Sequence, residues 1–411
     1  MMKPTKIHPW AWVPALYVSA YMVFLLCIIA SCANRTQEMF SVENIDIEQG
    51  FSDKREMYLS EIATDIEYVP LETTDESLIS SVSKVITHQN YIIVLDKKIQ
   101  ADFVFDRSGK FIRKIGAVGN GPGEYIGIAD ISIRHRDSVL CIYDDQTNRL
   151  SSYSLSGKFI KAVRTPFNAD KTAFINDSTL CLLLPRPCFV FNQSYSLAIY
   201  DHGLVQNGRL ISRSDENITE REASSMPTTG MTRLEKWVDS LSYWEVKYDI
   251  IYRITNHKTA IPRYFIRYKN KIPFQRDFSR QTIEEYTCVD DMLETNSFFF
   301  FHGVHNGLIF QIVYDKGRKA AVNVHFNYRD DDMASRFLND LDGGSPFWPK
   351  GVLEDGRVYS AVELYSLREY LKETPFRNIH PKTDSLAVSL NALIAKSEFM
   401  DNPCLMFVKL K

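Results

Sequence analysis

An all-β fold, a six-bladed β-propeller with short accessory helices near the C-terminus, is predicted by three features of the sequence. Short β-branched and aromatic runs fill most of the chain, turn residues separate them, and one stretch repeats at an offset of 48 residues. The runs "IEYVPL", "KVITH", "YIIVLD", "DFVFD" and "FIRKIG" have strand length and strand composition. "YIIVLDKKIQADFVFDRSGKFIRKI" from Tyr91 matches "VLCIYDDQTNRLSSYSLSGKFIKAV" from Val139. Asp96 falls on Asp144, Phe105 on Tyr153, Gly109 on Gly157 and Phe111-Ile112 on Phe159-Ile160. With the run before each copy, Val82 to Thr87 and Ile128 to Arg134, a unit holds about four strands. A four-stranded unit is apolar on both faces, so units stack around an axis and cover one another. From Ile66 to the C-terminus there is room for roughly six such blades.

The first 31 residues are a different kind of sequence. Lys3 and Lys6 precede an uncharged stretch containing "VFLLCIIA", and "IASC" ends at Cys32. A basic start, an apolar run and small residues before a cysteine read as a lipoprotein signal peptide over 1–31, with Cys32 as the site of lipid attachment. An uncleaved membrane helix is the competing reading, since the uncharged stretch is long enough to span a bilayer. Residues 32–50 begin with "ANRTQEMFSVENIDIEQG" after the cysteine, polar and without clear periodicity, and are expected to form a flexible tether. The propeller domain is expected over 51–411.

Within the domain, "IGAVGNGPGEY" packs Gly116, Gly119, Gly121 and Gly123 into one loop. A phosphate-binding loop would need Lys-Ser/Thr after its last glycine, and a dinucleotide fingerprint would need to open a helix. Here Pro122 and Gly123 follow Gly121, Glu124 adds a negative charge, and strand-like sequence resumes at Ile126. The glycines therefore read as structural, turning the chain from one blade to the next. "SGKF" is hairpin punctuation, with glycine supplying positive φ. A degraded third copy runs from Leu180 through "LAIYD" to "NGRLI", and later segments keep only strand texture. "SLREYLKE" reads as a short helix. "TDSLAVSLNALIAKSEF" places Leu386, Leu390, Leu393 and Ile394 on one helical face beside the last blade. "CLMFVKL" is a final strand, available to close the ring against N-terminal strands.

These pieces, in this order, resemble a known family. The glycine-rich loop followed by "IYDDQTNRL" and "SGKF" resembles an NHL-type repeat. With "IEYVPLETT", "GKFIRKIGAVGNGPGEY", "DIIYRI", "IPRYFI", "NDLDGGSPFWP" and "DNPCLMFVKLK", nearly the whole chain after Cys32 is similar to six-bladed β-propeller lipoproteins of gut Gram-negative anaerobes. The resemblance implies an exported propeller and implies no particular chemistry. The middle blades depart from the repeat pattern, so their number rests on the resemblance.

Composition excludes some functions. Without Lys3 and Lys6 the chain carries 46 basic and 51 acidic residues, a net of −5, and no basic block marks a nucleic-acid footprint. After Cys32 the chain has Cys141, Cys181, Cys188, Cys288 and Cys404, with no CxxC, and buried thiols are expected. No GxSxG, HExxH or SxxK with its partners occurs. Asp330, Asp331, Asp332, Asp340 and Asp342 are the densest acidic stretch and a weak calcium candidate, since the spacing fits no EF-hand loop. His302 and His305 lack a third zinc ligand nearby. Asp96 and Asp144, recurring at the blade period, read as hairpin-capping residues. Phe298 to Phe301 read as a strand covered on both faces. Trp244, Phe347 and Trp348 are candidate sugar-stacking residues, with core packing the plainer reading.

The function expected is that of an exported, lipid-anchored, monomeric binding or scaffold module for a protein, peptide or glycan, with no cofactor. The alternative is a propeller enzyme, a lyase or hydrolase, with its site in the axial funnel. A cluster of His, Asp, Glu or Arg at the axis favours the enzyme, and a broad aromatic or polar groove favours binding. Ala33 after the cysteine and the lack of an acidic run point to the periplasmic face of the outer membrane.

Overall fold

The computed structural model describes residues 42–190, 193–201, 209–211, 232–237, 240–245, 249–255, 260–272, 284–325, 336–372 and 379–411. Six antiparallel blades form a ring, each named here from its first strand outward. Blade 1 is Lys84–His88, Tyr91–Asp96, Ala101–Asp106 and Phe111–Lys114. Blade 2 is Ile128–Arg134, Val139–Asp144, Arg149–Ser154 and Phe159–Arg164. The repeat thus covers three strands of each. Blade 3 is Lys171–Asn176, Thr179–Val190, Gln193–Asp201 and Arg209–Ile211, the degraded third copy. Blade 4 is Thr232–Trp237, Ser240–Glu245, Ile250–Ile254 and Ala260–Arg267. Blade 5 is Thr287–Glu294, Phe298–His305, Leu308–Asp315 and Ala320–Val324.

Blade 6 closes the ring. Its strands are Gly351–Val352, Val358–Val362 and Cys404–Leu410, and the fourth is Ala63–Pro70 from the other end of the domain. Leu405 lies opposite Val69 and Val408 opposite Ile66, all buried, so N- and C-terminal strands share one ladder. Such a closure hides what would otherwise be two sheet edges. The helix Asp384–Lys396 is inserted within this blade, with Leu390 and Ile394 buried and Leu386 and Leu393 half-buried. The shorter helix, Leu364–Tyr370, begins two residues earlier than "SLREYLKE" suggests.

One expected boundary differs. Glu43–Asp46, expected as tether, pairs in parallel with Ala260–Arg267 as a fifth strand of blade 4, and Glu48–Ser52 forms a helical turn. Ile45 and Ile47 explain this: alternate residues of a polar stretch, both buried under blades 4 and 5. Lys54–Arg55 similarly edges blade 5.

Between adjacent blades the cores are continuous sheet-to-sheet contacts. Ile93, Leu95 and Val104 of blade 1 meet Ile131, Leu140 and Ile142 of blade 2. Phe299 and Phe301 face one side of blade 5 and Phe298 and Phe300 the other, which is why four phenylalanines in a row are all buried. Cys141, Cys181, Cys288 and Cys404 are buried free thiols.

Hairpins are held by the aspartates that recur at the blade period. Asp96 accepts backbone N–H groups from Ser80 (2.6 Å), Ser81 (2.9 Å), Lys98 (2.9 Å) and Ile99 (3.3 Å). Asp144 does the same for Ile126 (3.0 Å), Gly127 (3.3 Å), Gln146 (3.0 Å) and Thr147 (3.2 Å). Each carboxylate ties the turn after its strand to the loop entering its blade. The glycine loop lies just before blade 2. Gly116 has φ +70° and Gly123 φ +78°, a region that L side chains rarely enter. Glu124 turns its carboxylate into the loop and accepts the Gly121 N–H at 2.7 Å.

Candidate functional site

The first strand of every blade faces a central cavity of about 700 Å³. A strand on the axis must offer polar atoms to water, and the first strands of blades 1 to 5 each carry polar residues among apolar ones. Together they build a charged channel from residues remote in sequence.

At the end where the first strands begin, Asp130 is the hub. Its two carboxylate oxygens accept from Lys84 Nζ, both at 2.9 Å, and Oδ2 also takes the Thr172 N–H at 2.9 Å. Lys84 further donates to the Ile131 carbonyl at 2.8 Å. Burial alone would raise the Asp130 carboxyl, but Lys84, Lys171, the Thr172 amide and Lys97 bring it below the ordinary value. Lys97 is pushed down, first by burial and then by the neighbouring Lys171 charge. The ammonium groups of Lys97 and Lys171 have no hydrogen-bond or ion-pair partner among the described residues. Behind Asp130, Asp102 is fully buried with neither carboxylate oxygen bonded. Burial and the Asp130 charge hold it well above the usual carboxylate range.

Across the channel, Arg233 of blade 4 donates to Asp291 of blade 5 at 2.6 and 2.5 Å and to the Lys350 carbonyl at 3.2 Å. His302 Nδ1 lies 2.5 Å from Asp290 Oδ1, and that bond raises the imidazole above its ordinary value. Lys350 is pushed down by burial and by Arg336.

At the opposite end, where the first strands finish, two histidines and a glutamate meet. His88 Nδ1 is 3.0 Å from His135 Nδ1, and His135 Nδ1 is 3.1 Å from Glu354 Oε2. His88 Nε2 is 2.8 Å from the Ser138 hydroxyl. Burial lowers both histidines, helped by His135 at His88 and by Lys236 at His135, while partial desolvation at the channel mouth raises the largely exposed Glu354.

The residues singled out by sequence fall in several places. Trp244 and Phe347 are buried in the core. Trp348 is half-buried, stacked on Phe337 with centroids 5.7 Å apart, and lines the channel. His302 and His305 lie three apart on one strand, hence on opposite faces: His305 bonds the Thr287 hydroxyl at 2.7 Å and stacks on Phe51 at 4.1 Å. Asp340 is held by Lys382 at 2.7 Å and by Ser60, and Asp342 by Asn339 at 2.6 Å and the Gly344 amide at 2.7 Å. Asp330, Asp331, Asp332 and Cys32 lie outside the described residues. The channel residues Lys84, Lys97, Asp130, Lys171, His88, His135 and Glu354 carry no local motif. One signal for two of them was present: His88 and His135 follow corresponding runs of the two repeat copies.

A family model described as a domain of unknown function, DUF4934, matches residues 42–409. The chain belongs to that family. The match begins where the described fold begins and takes in all six blades. A presumed exported protein of Bacteroides fragilis has the same fold, with TM-score 0.69 and 18% identity over 90% of this chain and 99% of its own. A DUF4221-family protein of Bacteroides vulgatus aligns with TM-score 0.47 and 12% identity, over 85% of this chain and 97% of its own. No curated protein matches the sequence. Among the described residues no helix is long and apolar enough to cross a membrane.

Proposed function

We propose that this family member is an exported, lipid-anchored binding module that holds an anionic ligand in its axial channel. The carrying observation is the pair of unpartnered ammonium groups, Lys97 and Lys171, beside the Lys84–Asp130 ion pair at one end of a 700 Å³ cavity. A half-buried cation without a partner is poorly solvated, and an incoming carboxylate, sulfate or phosphate supplies the missing charge-assisted hydrogen bonds. The cavity has the size of small-ligand sites, so the acidic end of a glycan or peptide suits it better than a folded protein. Cys32 supplies the anchor, the fold neighbour described as exported is compatible with that placement, and the periplasmic face of the outer membrane is the favoured side. A monomeric domain suffices, because one ring completes the channel.

A second reading is favoured by a specific observation. His88, His135 and Glu354 stand within hydrogen-bond reach at the other end of the channel, the kind of axial cluster expected of a propeller lyase or hydrolase. An array of acidic and neutral glycans and peptides, followed by mass analysis of whatever is retained, tests both. Retention of intact acidic ligands supports binding. Retention or conversion of neutral ligands alone refutes the anionic reading, and cleaved ligand installs the enzyme in its place.

A further inference from the structure

The histidine–glutamate cluster has a geometry that hydrogen bonding alone does not require. In the tautomer that donates Nε2–H to Ser138, at 2.8 Å, His88 leaves its Nδ1 lone pair pointing at His135. His135 Nδ1 faces that lone pair at 3.0 Å and the Glu354 carboxylate at 3.1 Å. Three potential metal-donor atoms therefore lie within 4.8 Å of one another. We propose that His88 Nδ1, His135 Nδ1 and Glu354 form a site for a divalent transition-metal ion, zinc being the natural occupant.

Three arguments support it. With metal–ligand bonds of about 2.0–2.1 Å, neighbouring donors of a tetrahedral zinc lie about 3.3–3.4 Å apart. The observed 3.0 and 3.1 Å separations need only a few tenths of an ångström of spreading. Two imidazoles and one carboxylate are the donors of borderline metals, whereas calcium and magnesium take oxygen alone. The Ser138 hydroxyl supplies the outer partner that a ligating histidine uses to fix its tautomer and ring, and Gln89 Nε2 lies 3.5 Å behind it. Lys236 and Arg107 oppose a cation here, while Glu354 and Asp177 offset them. His135 and Glu354 line the channel, so a position left open by three protein ligands is reachable by a molecule inside it.

The site does not depend on the anionic ligand, since the lysine cluster sits at the other end. The full chain, purified in detergent and stripped with chelator, is titrated calorimetrically with Zn²⁺, and Co²⁺ is added in parallel for its visible spectrum. One equivalent of Zn²⁺ is expected, with the intense visible bands of tetrahedral Co²⁺. His135→Ala should weaken Zn²⁺ binding by more than roughly 100-fold, and Ser138→Ala by about tenfold, as an outer-partner loss does. Glu354 is exposed, so Glu354→Gln leaves the fold intact and should still weaken binding by roughly tenfold or more. Circular dichroism checks the folding of each variant. No saturable Zn²⁺ binding by the wild type overturns the proposal, as does binding that Glu354→Gln leaves unchanged.

Discussion

Glu294 carries the wall between blades 4 and 5, and replacing it with glutamine tests how the channel is held open. Its carboxylate is buried and accepts from Arg253 at 3.0 Å, Lys316 at 3.0 Å and the Ser242 hydroxyl at 2.5 Å. Both cations also lie over the Trp237 ring, at 4.5 and 4.7 Å. Glutamine keeps the shape and one acceptor, but leaves two poorly solvated cations without a counter-charge. Breaking a buried pair from one side costs about 3–5 kcal/mol. Lys316 limits the loss, because burial already pulls its ammonium below the ordinary value while Glu294 opposes the shift. Without Glu294 it falls further. The folded state then binds fewer protons than the unfolded state between the depressed value and the normal lysine value, so stability rises with pH across that window. The Glu294→Gln penalty should be largest near neutral pH and shrink toward alkaline pH, in urea unfolding followed by fluorescence and circular dichroism. A loss below about 1 kcal/mol, or one independent of pH, refutes this account of the network.

Three further outcomes follow from other parts of the chain. Gly123→Val places a β-branched residue at φ +78°, with its Cβ 2.9 Å from Phe159 Cβ and Cγ, and should cost about 2–4 kcal/mol in the same assay without removing any nucleotide affinity. ATP or NAD binding by the wild type that this change abolishes would reverse the reading of the loop. Cys32→Ala should release the protein from membranes, since the acyl chains are the proposed attachment; an exported variant that stays membrane-bound with an intact N-terminus indicates a transmembrane helix. Protease added to intact cells should spare the domain, and its digestion with an unbroken outer membrane places it on the cell surface.

The ring was legible because blades 1 and 2 preserve the same hairpin chemistry. "SGKF" needs glycine at positive φ in both, at Gly109 and Gly157, and the strand-ending aspartates tie equivalent turns. Blades 3 to 5 need only apolar strands of the right length, so their repeat had eroded while the fold remained. Glu43–Asp46 escaped notice because an outer-edge strand buries few side chains, and only Ile45 within it is fully covered. The channel was the least legible part. The first strands contribute charged residues that resemble those of any solvated strand end, and only ring closure brings Lys84, Asp130 and Lys171 together. Core packing, the plainer reading of the aromatic residues, holds for Trp244 and Phe347, while Trp348, which looks like Trp244 in sequence, reaches the cavity.

The most direct measurement of the central claim is the affinity of the tightest ligand from the glycan and peptide array, by calorimetry, for the wild type and for Lys171→Glu. Lys171 is half-buried and unpartnered, so reversing its charge should leave the blade folded while placing a carboxylate beside Asp130. The account predicts an anionic ligand, binding that weakens with added salt, and a loss of roughly 10–100-fold in the variant. A neutral ligand, or an anionic one bound equally by both proteins, would contradict it.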